Sequence, residues 1–158
     1  MDTAVEAGFS SGRRVIACTG SNARFCQATI EELLEMGLEY LEPYEDVNSV
    51  MQEIFGGFRQ FWIIDDVGVG PVLGMLTHIA HYSRRKTLVI TWMGGVKLPE
   101  KDEIDHILLG LEYFAIKQGA VELEAKCRPG VGRFLKAFGF KQDAVYVHKS
   151  LDMKRVLS

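Results

Sequence analysis

The chain has 158 residues, a formal net charge of −3 and a pI near 5.8. A chain of this length is the size of one domain and can bury a core without metal or disulfide support. Its acidic balance leaves no broad basic surface for phosphate backbones, which argues against a nucleic-acid-binding protein. Cys18, Cys26 and Cys127 stand at unrelated spacings that fit neither a zinc motif nor a disulfide framework, so no metal site is predicted.

The start of the chain shows no sign of export or of a membrane anchor. Asp2 and Glu6 are acidic, and no long apolar stretch precedes Arg13-Arg14, so the pattern fits neither a signal peptide nor a spanning segment. We therefore expect a protein of the cytoplasm or of a soluble assembly. Residues 1–12 are small and polar and predict a flexible arm, followed by a single domain over residues 13–158.

The first third of the chain predicts a strand followed by two helices. Residues 13–19 have the composition of a strand, and Gly20-Ser21-Asn22 then supplies a turn and a helix cap. Apolar residues recur at helical spacing up to Leu41, and a proline follows at position 43. A second helix is predicted after Asp46, with an apolar face made by Val47, Val50, Met51, Ile54, Phe55 and Phe58.

The rest of the chain predicts three neighbouring strands, a long helix, a strand, a short helix and a last strand. The three strands are expected at residues 61–64, 72–81 and 87–93, with a basic loop at 83–86. The long helix follows Pro99 and stops at Gly119. The next strand covers residues 121–125, the short helix ends at Gly139, and the last strand covers 144–151. This order predicts an α/β (α+β) fold, a mixed sheet with helices on both faces.

The C-terminal half carries a family resemblance. The helical run Leu108 to Ala120, the strand Val121-Glu122-Leu123 and the segment Arg133 to Lys141 with its Gly-Phe pair resemble the ending of the GNAT acyltransferase superfamily. The resemblance covers residues 61–151 and implies a GNAT-like, mostly antiparallel sheet. Within the superfamily the chain is most similar to divergent proteins encoded by tailed bacteriophages.

The resemblance also implies where an acyl-CoA diphosphate would bind, and the sequence departs from the family there. GNAT enzymes hold this group with an Arg/Gln-x-x-Gly-x-Gly/Ala loop, whose glycines let backbone amides approach the phosphates. Aligned on Leu108-Leu109, this chain has Glu100, Glu103 and Asp105 at the three motif positions. A carboxylate about 6 Å from a phosphate charge costs about 3 kcal/mol at an effective dielectric constant of about 20. The sequence therefore predicts that no cofactor binds.

A shifted alignment is the alternative. Gly94 and Gly95, which follow Met93, could donate backbone amides to the phosphates while Lys97 or Lys101 supplies positive charge. In that case acetyl-CoA is the expected cofactor.

The catalytic positions that the resemblance implies are also substituted. The family's tyrosine on the short helix, a general acid toward the departing thiolate, is Leu135 here. Tyr146 on the predicted last strand is the substitute candidate, and Glu122 and Glu124 are candidate bases. His78 is interpreted as a rim histidine or a histidine with satisfied hydrogen bonds.

Two hypotheses follow. The first is a phage-encoded, non-catalytic GNAT-like protein of the host cytoplasm or virion, acting as a virion-associated, interaction or scaffold protein. Its partners would be other protein chains, such as phage structural proteins, or further copies of itself. The second is an acetyl-CoA-dependent N-acetyltransferase with a rearranged cofactor loop, in which a strand amide near Thr91 to Gly94 polarises the thioester carbonyl.

Overall fold

A six-stranded sheet organises the first part of the chain in the computed structural model, which describes residues 7–8, 13–96, 99–127, 129–144, 147, 149 and 151–157. The strands lie in the sheet in their order along the chain. They are β1 (Ala7–Gly8), β2 (Arg13–Cys18), β3 (Arg59–Asp66), β4 (Gly70–His81), β5 (Lys86–Gly95) and β6 (Glu122–Ala125). Neighbouring strands are antiparallel except for β5 and β6, which are parallel. The prediction of a mixed, mostly antiparallel sheet is confirmed.

Helices cover both faces of the sheet, as predicted. They are α1 (Gln27–Met36), α2 (Val47–Phe55) and α3 (Lys101–Lys117). Successive residues of a strand point to opposite faces, and Phe61 and Trp62 of β3 show which helix lies where. Phe61 belongs to a buried cluster with residues of α1 and α2. Trp62 packs edge-on against Phe114 of α3, with ring centroids 5.2 Å apart.

The long helix α3 is the crossover that a parallel strand pair requires. It leaves the end of β5, runs behind the sheet and returns the chain to β6. Its predicted apolar face is confirmed, because the six residues that the sequence placed on it are all buried: Ile104, Ile107, Leu108, Leu111, Phe114 and Ala115.

The first helix is shorter than the sequence pattern predicts. A 3₁₀ turn at Gly20–Cys26 precedes α1, and a second at Leu38–Tyr40 follows Gly37. The carbonyl of Gly37 accepts a hydrogen bond from Trp92 Nε1 at 2.9 Å. A Cβ on this glycine would lie 2.8 Å from the indole ring. The helix therefore ends where the Trp92 side chain packs against its backbone, a tertiary contact that local periodicity cannot show.

The second helix begins as predicted. The Asp46 carboxylate accepts a hydrogen bond from the Ser49 amide at 2.7 Å, and the Ser49 hydroxyl is 3.1 Å from the Asp46 amide. Such a reciprocal cap satisfies amides that the first turn of a helix leaves unpaired. Phe58, which the pattern placed on the apolar face, follows the helix and is 75% exposed.

The chain divides into two compact units, residues 1–127 and 128–158. The second contains α4 (Pro129–Leu135), a 3₁₀ turn at Lys136–Phe138 and α5 (Met153–Leu157). Gly139 ends the turn with φ of 89°, a left-handed conformation that favours glycine. In the predicted strand 144–151, the described residues 144, 147, 149 and 151 belong to no strand, and the other four lie outside the described residues.

The domain boundaries drawn from the sequence stay a prediction. Of the predicted arm over residues 1–12, the structure describes Ala7 and Gly8, which pair with β2. Among the helices in the described ranges, none is long and apolar enough to cross a membrane.

Candidate functional site

The sheet opens between its two parallel strands. Residues Thr87 to Ile90 of β5 pair with Glu122 to Ala125 of β6, and the Lys126 amide adds a last hydrogen bond to the Ile90 carbonyl at 2.9 Å. β5 continues to Gly95 beside β4, whereas β6 has ended. In the described part of the chain, no strand pairs with Thr91–Gly95 on the side away from β4. This segment therefore presents a strand edge.

A β-bulge lies at the same point. Leu76 of β4 pairs with Trp92 and Thr77 pairs with Ile90, so Thr91 is one extra residue in β5. Its hydroxyl donates to the Leu76 carbonyl at 3.3 Å and accepts from Arg59 Nη2 at 2.9 Å. Bulges redirect side chains and end regular pairing, and they are frequent beside active sites.

Thr91 is one of the residues that line a cavity of about 210 Å³. The sheet contributes Arg59, His78 and Thr91, and Lys126 follows β6. The other wall comes from the connection between α1 and α2, from α2 and from the residue before β3: Glu42, Tyr44, Glu45, Glu53 and Phe58. The connection between α1 and α2, α2 itself and strands β3 to β5 all contribute residues to the core cluster, so most of the cavity wall is anchored in the core.

Arg59 organises this cavity although it is only 5% exposed. Its Nη1 lies 2.5 Å from Glu45 Oε1 and 3.7 Å from Glu53 Oε2. Its Nη2 donates to Thr91, and its buried Nε has no hydrogen-bond partner among the described residues. The ion pairs with the two glutamates and the hydrogen bond to Thr91 compensate the buried guanidinium, because an unpaired charge inside a protein is costly.

His78 lies next to Arg59 in the sheet, as its partner across β3 and β4. Its pKa is lowered from 6.5, first by burial and then by the positive charges of Arg59 and Lys126, against the opposing charges of Glu53 and Glu45. The imidazole is therefore neutral at neutral pH and can accept a proton.

The start of α3 is the second part of the site, because it follows the strand edge in the chain. Glu103 Oε2 accepts a hydrogen bond from the Glu100 amide at 3.1 Å. The same oxygen forms an ion pair with Arg13, a β2 residue that is 5% exposed. Glu103 is thus neutralised, whereas Glu100, Asp102 and Asp105 are exposed. The sequence pattern identifies the carboxylates of this turn, but it does not show that Arg13 lies beside Glu103.

The two candidate bases on β6 are engaged at the β4–β5 hairpin. Glu122 forms an ion pair with Arg85 at 2.9 Å. Glu124 accepts a hydrogen bond from the Tyr82 hydroxyl at 3.0 Å, which is the main reason that the pKa of Tyr82 is raised. Neither glutamate lines the cavity.

The glycines proposed as amide donors have a packing reason of their own. A Cβ on Gly94 would lie 2.6 Å from the Trp92 ring, and one on Gly95 would lie 2.4 Å from the Val72 carbonyl oxygen. Both glycines, together with Met93, form the last part of the free strand edge. The two glycines are therefore required for close packing on β4, and their role as amide donors to a cofactor stays a prediction.

The remaining predicted site residues are placed as follows. Lys101 is the first residue of α3 and is exposed. Lys97 and Tyr146 lie outside the described residues. Over the described ranges, no group of three His, Cys, Asp or Glu side chains is arranged to hold a metal ion.

Comparison with known proteins identifies the fold through solved structures. No protein-family model matches the sequence, and no curated protein matches it. Solved structures do match. The aminoglycoside N-acetyltransferase AAC(6')-Iy in complex with CoA superposes with a TM-score of 0.67 at 11% identity, over 91% of this chain and 98% of that one. The chain has a GNAT fold.

Two further structures give the same result. A predicted acetyltransferase from Clostridium acetobutylicum with acetyl-CoA has a TM-score of 0.64 at 11% identity, over 87% of this chain and 96% of that one. An aminoglycoside acetyltransferase from an uncultured soil metagenomic sample, in complex with sisomicin, has a TM-score of 0.62 at 12% identity, over 89% and 97%. The GNAT-like fold predicted from the sequence is confirmed. The finer resemblance to phage proteins stays a prediction.

The prediction that no cofactor is used is wrong. Two of the similar structures contain this kind of cofactor, one CoA and the other acetyl-CoA. The sequence argument counts every carboxylate at the start of α3 as an unpaired charge, which is not so for one of them. Glu103, which stands at one of the motif glycine positions, is compensated by Arg13.

The residues present fit an acyl-CoA in two places. The Thr91–Gly95 edge offers backbone donors and acceptors that can pair with an extended amide chain, as an added strand would. The first amides of α3 have no partner within the helix and suit a diphosphate. The sequence missed the cavity because Arg59, His78 and Thr91 are distant in the chain and the bulge leaves no local signal. Polar residues inside apolar strands were the available hint.

Proposed function

We propose that the protein is an N-acyltransferase that transfers an acyl group, acetyl in the first instance, from CoA to an amine. The observation that carries this proposal is the separation of β5 from β6 at Thr91, where the free strand edge and the charged cavity meet. The acetyltransferases of the same fold, with CoA and with acetyl-CoA, support the choice of acyl carrier.

Two parts of the chain would hold the acyl-CoA. The backbone of Thr91–Gly95 would pair with the pantetheine amides, and the amides of Lys101 and Asp102 at the start of α3 would face the diphosphate. When bound, the carrier supplies an activated acyl group as a thioester. The positive end of the α3 dipole favours negative charge at this point.

The cavity suits an amine in its protonated form. Three carboxylates line it, those of Glu42, Glu45 and Glu53, together with two cations, Arg59 and Lys126. Because His78 is neutral, the lining has an excess of one negative charge. Because alkyl amines are protonated at neutral pH, this excess favours the substrate over neutral molecules of the same size.

Aromatic side chains strengthen this assignment. Tyr44 and Phe58 line the same cavity and are 79% and 75% exposed. Aromatic faces attract ammonium groups. The similar aminoglycoside acetyltransferase in complex with sisomicin also supports an amine acceptor.

The proposal is tested by thermal unfolding with acetyl-CoA. Ligand at about 100 times its dissociation constant stabilises the folded state by about 2.7 kcal/mol, which raises the melting temperature of a chain of this size by about 5–10 °C. Pantetheine alone would report on the strand edge, and ADP alone on the start of α3. Thiol release in the presence of a panel of polyamines then measures turnover. Absence of both a thermal shift and thiol release would contradict the proposal.

A second candidate is an interaction protein of a phage particle, and one observation favours it. Glu103 already occupies the Glu100 amide, and Glu100, Asp102 and Asp105 expose carboxylates around it. This acidic surface would suit a basic patch on another protein chain, such as a phage structural protein, or on a second copy of this chain. Mass spectrometry of purified virions tests this role. Recovery of the chain as a free cellular monomer that releases thiol would exclude it.

A further inference from the structure

His78 lies on the sheet side of the cavity, beside the Arg59 guanidinium that pairs with Glu45 and Glu53. It lies on β4, one strand spacing of about 4.8 Å from β5, and it pairs with Arg59 on one side and Val89 on the other. Thr91 lines the same cavity at the point where β5 and β6 separate. The imidazole therefore faces the place where an acceptor and a bound thioester would meet.

The carboxylates around it are less suited to accept a proton. Glu45 and Glu53 are held by the Arg59 guanidinium at 2.5 and 3.7 Å. Glu122 and Glu124 are held at the hairpin by Arg85 and Tyr82. Glu42 also lines the cavity, so the effect of replacing the histidine must be compared with the effect of replacing Glu42.

We propose that His78 is the general base of the acyl transfer, the group that takes the proton from the acceptor ammonium. This inference rests on the proposed function, because a base is needed only if an amine is acylated. An ammonium ion has no lone pair, so one proton must leave before the nitrogen can attack.

The atoms balance in a short sequence. An imidazole nitrogen of His78 accepts one ammonium proton, and the freed lone pair forms the carbon–nitrogen bond to the acyl carbon. The carbon–sulfur bond of the thioester breaks, and the sulfur takes the electron pair and a second proton from the nitrogen. The proton on His78 passes to solvent through the open cavity, which restores the base.

The surroundings of His78 suit this role. Burial lowers its pKa most, and the positive charges of Arg59 on β3 and Lys126 after β6 lower it further. The carboxylates of Glu53 on α2 and Glu45 before α2 oppose this lowering. A base that is neutral at neutral pH is ready to accept a proton, and a cationic neighbour favours its release afterwards.

The test compares His78→Gln with His81→Gln. His81 is the last residue of the same strand, is exposed and does not line the cavity, so it is a matched control. We expect kcat for His78→Gln to fall by about 10²–10⁴-fold, with the melting-temperature shift by acetyl-CoA retained. The acid limb of the pH profile of kcat should disappear, and imidazole should restore activity to His78→Ala. His81→Gln should match the wild type, and Glu42→Gln should raise KM more than it lowers kcat.

The outcomes separate the two proposals. An active wild type, whose His78→Gln variant keeps kcat within about threefold and keeps the acid limb, would overturn the role of His78 and leave the N-acyltransferase proposal standing. A wild type without turnover on any amine would overturn both. If the variants fail to fold, the pKa of His78 measured by ¹⁵N NMR in the wild type must equal the pKa of the acid limb of kcat/KM; disagreement would overturn the inference.

Discussion

Arg13 and Glu103 form an ion pair that ties the first residue of β2 to the first turn of α3, 90 residues later in the chain. Arg13 is 5% exposed and its Nε also lies 3.5 Å from Asp66 Oδ2. The pair fixes the start of α3 against the sheet and removes one negative charge from the place where a diphosphate would bind. One contact thus serves both stability and the proposed cofactor site.

Arg13→Ala should lower the free energy of unfolding by about 3 kcal/mol, because it leaves the Glu103 carboxylate poorly solvated without its partner. The neighbouring Arg14 provides a matched control. It pairs with Asp65 at 3.0 Å but has a side chain that is 48% exposed, so Arg14→Ala should cost less than about 1 kcal/mol. Urea unfolding measures both. Equal losses for the two variants would show that burial does not set the strength of the Arg13 pair.

The first turn of α3 allows a test of the charges that remain. Asp102→Asn removes an exposed carboxylate and should lower the Kd for CoA by about two- to fivefold, the range that an exposed charge pair gives. Glu103→Gln should not tighten binding, because Arg13 already neutralises Glu103. Isothermal titration with CoA measures both variants. Tighter binding by Glu103→Gln alone would mean that this carboxylate faces the ligand.

The elements of this fold follow closely from the sequence where local signals are strong. The cap at Asp46 and the apolar face of α3 are set by neighbours within one or two turns, and both were predicted. The end of α1 was not, because it is set by the indole of Trp92, 55 residues away from Gly37. Long-range packing of this kind overrides helical periodicity.

The glycines around that indole give a further prediction. A Cβ on Gly74 would lie 2.4 Å from the Phe61 ring, so Gly74→Ala should cost about 1–3 kcal/mol through overpacking. Gly110 in α3 is the matched control, because a Cβ there would meet nothing within 4 Å. Gly110→Ala should stabilise the protein by about 0.5–1 kcal/mol, since alanine favours a helix over glycine. Chemical unfolding measures the stability of both variants. A Gly74→Ala protein as stable as the wild type would contradict the packing described for Phe61.

The candidate site was harder to predict than the fold for a physical reason. Its parts come from the connection before α2, from α2, from the residue before β3, from three strands and from the residue after β6. The bulge that orients Thr91 depends on the pairing register. The residues chosen from the sequence, Glu122 and Glu124, are close to one another in the chain and lie at the hairpin. Proximity in sequence favoured them, whereas the cavity joins residues that the sheet brings together.

The lowered pKa of His78 also predicts how stability depends on pH. The unfolded chain binds a proton at this residue near pH 6.5, whereas the folded protein binds it only at lower pH. Acidification from about pH 7.5 to about pH 5 therefore favours the unfolded state, and the folded state loses stability as the pH falls through 6.5 toward the folded pKa. His78→Gln cannot bind this proton. The wild type should accordingly lose more stability than the variant over this interval, while carboxylate titrations affect both proteins alike and cancel in the difference. Melting temperatures of the two proteins, measured across the interval, give the answer. A constant difference would show that His78 titrates alike in the folded and unfolded protein.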